Sequence, residues 1–358
     1  MYQMNFNTFA LLDACFLWII GLVLGWHTLK HWNESKKKDV KYSEILQVIL
    51  FFVMGIYVLY LIDSDPSVEN KYYGIMFAIY GSLAIFFLLF NVFPNMIRKR
   101  RDPHFREDEN YDKFLEKMRS KYSTPEEAEK ADKVKDLSRK LLHVLQFSAY
   151  VILYEYSIQN QDKLSDYGLE PFEFRNFLLF LVGGFFWIMM MTGDLFRMEK
   201  WIYLPRWAHF WFENSLEPER EAWTINSASS ILLANFLFLH PNIPMQVFFA
   251  SAFASCIGDA LASVVGKNLG KHKLDNVGNF PNKSWEGTIA GALSTAMGVI
   301  IFSLLYPIPD QSLYLIVAGA TLSSIAFMLI DMYVRKIADN LLNNIVIGLI
   351  LLVLIKIG

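Results

Sequence analysis

Ten apolar runs, each near the ~20 residues that cross a bilayer, divide this chain. They fall at roughly 9–29, 45–62, 74–93, 141–158, 175–193, 223–240, 245–265, 285–306, 312–333 and 341–357. Hydrocarbon offers the backbone no hydrogen-bond partner, so runs of this length have to close their own bonds as helices. Two of them are diluted, the fourth by Glu155 and the fifth by the Gly183-Gly184 pair. The expected fold is an all-α polytopic membrane protein of about ten transmembrane helices. Only 19% of the 358 residues are charged and 54% are hydrophobic, which excludes an ordinary soluble globule.

The first run follows an uncharged stretch and carries Asp13, so it reads as a retained span and not a signal peptide. Cys15 and Cys256 both lie in apolar runs, which excludes a disulfide framework. A net charge of −2 provides no field for nucleic acid. The distribution of charge is more informative. Of the 33 Lys and Arg, 29 lie in alternate loops, at 30–41, 98–140, 197–220, 267–283 and 335–336. Cytoplasmic loops carry the excess of these residues, so the five loops are expected in the cytoplasm and both termini outside. The membrane itself, a prokaryotic plasma membrane or an endoplasmic reticulum, stays open.

Three regions are expected: a three-span part at 1–93, a basic amphipathic cytoplasmic segment at 94–138, and a seven-span domain at 139–358. The middle segment opens with Arg98-Lys99-Arg100-Arg101, and Tyr111, Phe114, Leu115 and Met118 then recur at helical spacing. That pattern predicts a helix lying on the surface of anionic lipid. Ser123-Thr124-Pro125-Glu126-Glu127 reads as the start of the next helix. Between 197 and 212, Trp207, Phe210, Trp211 and Phe212 mix with Arg197, Lys200 and Arg206, a composition suited to the headgroup layer.

Chemistry concentrates between 254 and 288. Asp259 is an acid inside an apolar run, about 10 Å before the run ends at Gly266. An ionisable group in a span is a functional candidate by default. Gly258, Ala262 and Gly266 form a small-residue stripe along the same helix, and close helix packing explains them equally well. Gly266-Lys267-Asn268-Leu269-Gly270-Lys271 does not match the phosphate loop of soluble nucleotidases, since His272 stands where Ser or Thr belongs. Its glycines and lysines still suit phosphate. Ser284 is placed to cap the next helix, whose free N–H groups favour an anion, and Lys283 adds a full charge there. Glu286 serves either the helix dipole or a divalent cation shared with Asp259. Arg139, Lys140 and His143 begin the fourth span, and Asp339-Asn340 begins the last. Each set reads as an interfacial or capping group or as an anion or metal contact.

Gly258-Asp259-Ala260-x-Ala262-x-x-x-Gly266-x-x-x-Gly270 followed by Lys283-Ser284-x-Glu286-Gly287-Thr288 resembles the signature of the CTP-dependent lipid kinases. These are the dolichol (polyprenol), phytol and CTP-using diacylglycerol kinases, grouped with the phosphatidate cytidylyltransferases. Arg139-Lys140-x-x-His143 and Asp339-Asn340-Leu341 are similar to the family's flanking motifs. The resemblance implies transfer of the CTP γ-phosphate to a membrane alcohol, dolichol or polyprenol first, giving lipid phosphate and CDP. It implies Mg2+ or another divalent cation, with Asp259, Glu286 and Asp339 as its ligands and Asp259, Lys283 and Glu286 as the catalytic groups. Gly258, Gly266, Gly270, Lys271, Lys283 and Ser284 would meet phosphate, as would Gly287, Thr288, Arg139, Lys140, His143 and Asn340. The general base is open among Asp259, Asp339 and Glu219. The expected partners are CTP, a long-chain isoprenoid or other lipid alcohol, and the bilayer. Two other readings compete: synthesis of a CDP-lipid in the manner of a phosphatidate cytidylyltransferase, and a transporter coupled through Asp259 and Glu286.

Overall fold

The computed structural model describes residues 7–33, 41–62, 66–107, 110–200, 203–216, 234–239, 242–274, 283–334 and 337–357. Among them, eight helices are long and apolar enough to cross a membrane. The expected span at 141–158 forms the end of a longer helix, α5 below, and His143, Gln146 and Glu155 leave it less apolar than the eight. The expected span at 223–240 lies outside the described residues except for 234–239.

The chain divides into two compact units, of which the first comprises Met1–Leu59, Ser64–Leu141 and Leu181–Ser229. Helix α1 (Thr8–Lys30) starts where Asn7 accepts from the Phe9 N–H at 2.9 Å, a side-chain cap for an otherwise orphaned donor. It packs on α2 (Lys41–Val58), with Gly21 against Phe51 and the Trp18 indole donating to the Phe52 carbonyl at 3.1 Å. Helix α3 runs from Ser67 to Arg101 with a π turn at Leu88–Val92.

The amphipathic segment contains α4 (Tyr111–Ser120), and its apolar face lies on protein where a lipid surface was expected. Phe114, Leu115 and Met118 are buried with Leu204, Ala208, Phe212 and Leu216. Lys117 and Lys121 clamp Glu213 at 2.8 and 2.7 Å. Partial burial pushes the Glu213 carboxyl up, but the two lysine hydrogen bonds outweigh it and hold the group below its ordinary range. Helix α5 (Pro125–Gln159) continues from this segment, and α6 (Pro171–Lys200) follows. Helix α7 (Arg206–Ser215) supplies the aromatic cover over α4 and leaves Trp207 and Phe210 exposed. Arg197 meets protein and not solvent. It is fully buried, and its Nε donates to Asp194 Oδ1 at 3.1 Å.

The second unit comprises Tyr60–Asp63, Leu142–Phe180 and Ser230–Gly358. It holds α8 (Met245–Asn268), α9 (Trp285–Leu305), α10 (Leu313–Tyr333) and α11 (Asp339–Ile357). Burial of the spanning window is 67% in α8 and 28% in α10, which makes α8 the central helix and α10 peripheral. Its small residues allow this: Ala262 packs with Ala292 of α9 and Phe327 of α10. Lower in the unit, Phe249 stacks on Phe302 with centroids 5.4 Å apart, and Phe147 of α5 meets the same ring edge-on at 5.9 Å. Such aromatic pairs add to plain area burial and hold the spans in register.

Helix α8 is not uniform. Its turn at Ala254–Gly258 is a π turn, and the Asp259 N–H donates to the Ala254 carbonyl five residues back. Asp259 is therefore the first residue after a widened turn, a feature that recurs at functional sites.

Candidate active site

Asp259 meets two neighbours at the loop end of the second unit. His143 of α5 places Nδ1 3.7 Å from Asp259 Oδ2. Asn340, the second residue of α11, faces acceptors on both sides, which orients its amide. Its nitrogen donates to Asp259 Oδ2 at 3.1 Å and to the Ser255 carbonyl at 3.2 Å.

Lys283 lies in the loop that precedes α9. Its ammonium donates to the Asp331 carboxylate and, at 2.8 Å, to the Asp331 carbonyl, with Asp339 Oδ2 at 3.6 Å. The second Asp331 oxygen accepts from Thr288. Burial lowers the Lys283 pKa, but Asp339 and Asp331 outweigh it, with a contribution from Asp259, and hold it above the ordinary 10.5. Two carboxylates thus meet the Lys283 ammonium directly, and Asp259 acts on it from farther away.

Ser284 caps α9 as its sequence predicts, accepting from the Gly287 N–H at 3.3 Å. It also donates to the Gly266 carbonyl at 3.4 Å. Gly266 and Gly287 bring α8 and α9 into backbone contact. A Cβ on Gly287 would sit 2.6 Å from the Ala262 carbonyl and 2.8 Å from Gly266 Cα. Gly287→Ala is accordingly expected to cost about 2–3 kcal/mol by forcing the helices apart, read as a lower unfolding midpoint in detergent. Gly258 faces Ser294 and Thr295 of α9 and Phe327 of α10. These three glycines thus have packing duties that stand whatever they do for phosphate.

The other predicted residues divide clearly. Glu286 is turned to His272, whose backbone N–H donates to it at 3.2 Å and whose Nδ1 lies 2.6 Å from Oε1. Both of its oxygens accept from the His272 N–H in this arrangement. The same turn is tied by Leu274 N–H to Lys283 carbonyl and Trp285 N–H to His272 carbonyl, both 3.0 Å. Gly270 packs beside Ser284, and Lys271 is exposed. Arg139 and Lys140 precede His143 on α5 but fall in the first unit. Glu219 lies outside the described residues. Asp331 was missed by sequence reasoning, although it satisfies the rule that selected Asp259, an acid within an apolar span.

Among the described residues, no three His, Cys, Asp or Glu side chains converge as a metal-ligand set. The donors present still fit magnesium. It takes hard oxygen ligands and usually only one or two carboxylates, the rest coming from water and substrate phosphates. Asp259 and Asp339 are such donors beside Lys283.

A comparison with protein-family models matches residues 140–337 to the cytidylyltransferase family. Neither the curated proteins nor the solved structures yield a match.

Proposed function

The chain belongs to the cytidylyltransferase family, which includes CTP-dependent lipid kinases and phosphatidate cytidylyltransferases, and from that premise we propose that it is a CTP-dependent lipid kinase. Its substrate in this reading is a membrane alcohol, dolichol or polyprenol first, and its products are the lipid phosphate and CDP. The observation that carries the choice between the branches is the Asp259–His143 pair, 3.7 Å apart. An alcohol has to lose a proton as it attacks phosphorus, so a kinase needs a base within reach. A phosphatidate attacking CTP is already an oxyanion and needs none.

The lipid hydroxyl forms the new O–Pγ bond, the bond from Pγ to the CDP oxygen breaks, and the hydroxyl proton passes to the Asp259–His143 pair. Lys283 holds phosphate charge in place, positioned by Asp331 and Asp339. The first N–H groups of α9 add partial positive charge at the same end. Magnesium, held by Asp339 and Asp259, would neutralise charge on the phosphate oxygens. Positioning and charge neutralisation supply most of the acceleration in such transfers. On the cytoplasmic side, where the excess of Lys and Arg leads the loops to be expected, CTP is at hand while the acceptor stays in the bilayer.

Purified protein supplied with polyprenol and CTP labelled separately at the α- and γ-phosphates tests this reading. Label in the lipid from the γ-position alone is expected. Label from the α-position with phosphatidate would assign the other branch of the family. No lipid product from any acceptor, with Asp259→Asn indistinguishable from wild type, would remove both.

A further inference from the structure

Helices α8 and α11 are joined by two polar rungs, one helical turn apart. The upper rung is Asp259 with Asn340. The lower is Ser255 with Asn344, whose Nδ2 donates to Ser255 Oγ at 3.2 Å. Ser255 commits its own hydrogen to the Ala252 carbonyl at 3.1 Å. That commitment fixes the amide, because only a donor can face an oxygen whose hydrogen is already used. Asn344 therefore presents nitrogen to Ser255 and directs Oδ1 elsewhere. Both side chains are fully buried, and Asn344 Oδ1 meets no donor among the described residues.

A buried acceptor without a donor is costly, and such groups are as a rule completed by water or ligand. The chemistry of the missing partner is constrained: it has to donate. Ionised phosphate oxygens only accept, so the triphosphate does not answer this demand, and the nucleotide's own donors, its ribose hydroxyls and cytosine amine, lie away from the phosphates. A lipid hydroxyl does. The rung also lies on the membrane side of Asp259, since four residues separate Ser255 from Asp259 along α8 and Asn340 from Asn344 along α11. Asn344 and Asp259 thus belong to successive rungs of the same helix pair.

We propose that Asn344 seats the hydroxyl of the acceptor alcohol between the two rungs. Its Oδ1 accepts the hydroxyl hydrogen while the lipid is bound, and rotation about the C–O bond turns that hydrogen to Asp259 at transfer. Asn344 is then the residue that selects a donor headgroup. This inference rests on the lipid-alcohol reading above.

The test uses full-length protein in detergent with polyprenol as substrate, the methyl ether of that polyprenol as competitor, and CTP. Wild type is expected to favour the alcohol over the ether by about tenfold or more, the ratio one buried hydrogen bond commands. Asn344→Leu is expected to raise the polyprenol KM by about the same factor and to lose the discrimination, with CTP affinity unchanged. Asn344→Asp keeps an acceptor and is expected to restore both. If Asn344→Leu does not fold, Asn344→Ala is read in the same way. An active Asn344→Leu or Asn344→Ala enzyme with unchanged polyprenol KM and unchanged ether discrimination would overturn the inference and leave the kinase reading standing, the acceptor then being served by internal water. A wild-type enzyme that phosphorylates no alcohol would overturn both, and is a separate outcome.

Discussion

Asp259→Asn is expected to reduce phosphate transfer to the lipid by about 10²- to 10⁴-fold, the usual contribution of a positioned proton acceptor. The substitution is close to isosteric. Asn340 can still donate to the new amide oxygen, so the contact between α8 and α11 survives. What is lost is a charge and a basic oxygen beside His143. Unfolding in detergent should therefore stay near wild type while transfer of the γ-label into polyprenol collapses. CTP affinity should fall by a smaller factor, because Lys283 and the start of α9 are untouched. Activity within a few-fold of wild type would remove Asp259 from the chemistry and shift attention to Asp339.

Asp331→Ala should act on stability as well as rate. It strips Lys283 of its tightest partner and leaves Thr288 without its acceptor. The side chain of Asp331 is 10% exposed and that of Lys283 26%, so water repairs the loss only in part. Breaking a pair in this setting costs about 3 kcal/mol, the lower end for buried pairs. For a unit of this size that corresponds to a fall of roughly 6–12 °C in the unfolding midpoint. Asp331→Asn keeps an acceptor for Thr288 and should fall between alanine and wild type. A double-mutant cycle with Lys283→Met separates the pair from the rest: the two changes together should cost clearly less than their sum. Additive costs would show that Asp331 acts apart from Lys283.

The spans were legible because hydrocarbon imposes a length and a composition on every helix that crosses it. Asp259 was legible for the converse reason, as an acid where acids are costly. Ser284 was legible through capping chemistry, which is local. Asp331 escaped notice because it lies near the end of its span, four residues before Arg335, where an acid reads as interfacial balance. Asn344 escaped because it follows Asp339-Asn340 closely and looks like the polar start of a helix. Its partner Ser255 is 89 residues away, and no spacing rule joins them. The contact of Glu286 with His272 was not legible, since it depends on how the loop returns to α9. The apolar face of α4 was visible in the sequence, and what covers it was not, because α7 arrives from a distant part of the chain. Residues that act through their own helix could be read; those that act through a neighbouring helix required the fold.

The π turn before Asp259 sets a phase. It amounts to one surplus residue held inside an otherwise α-helical span. Deleting Ile257 would let the span close as plain α-helix, and each residue turns a helix by about 100°. The widened turn already absorbs that rotation: the Asp259 N–H reaches the Ala254 carbonyl across five residues, and after the deletion would reach it across four. Ser255 and Asp259 would then stay on nearly the same face of a whole and equally apolar span. A one-residue change of length here therefore trades a wide turn for a plain one and leaves the face that α8 presents almost where it was.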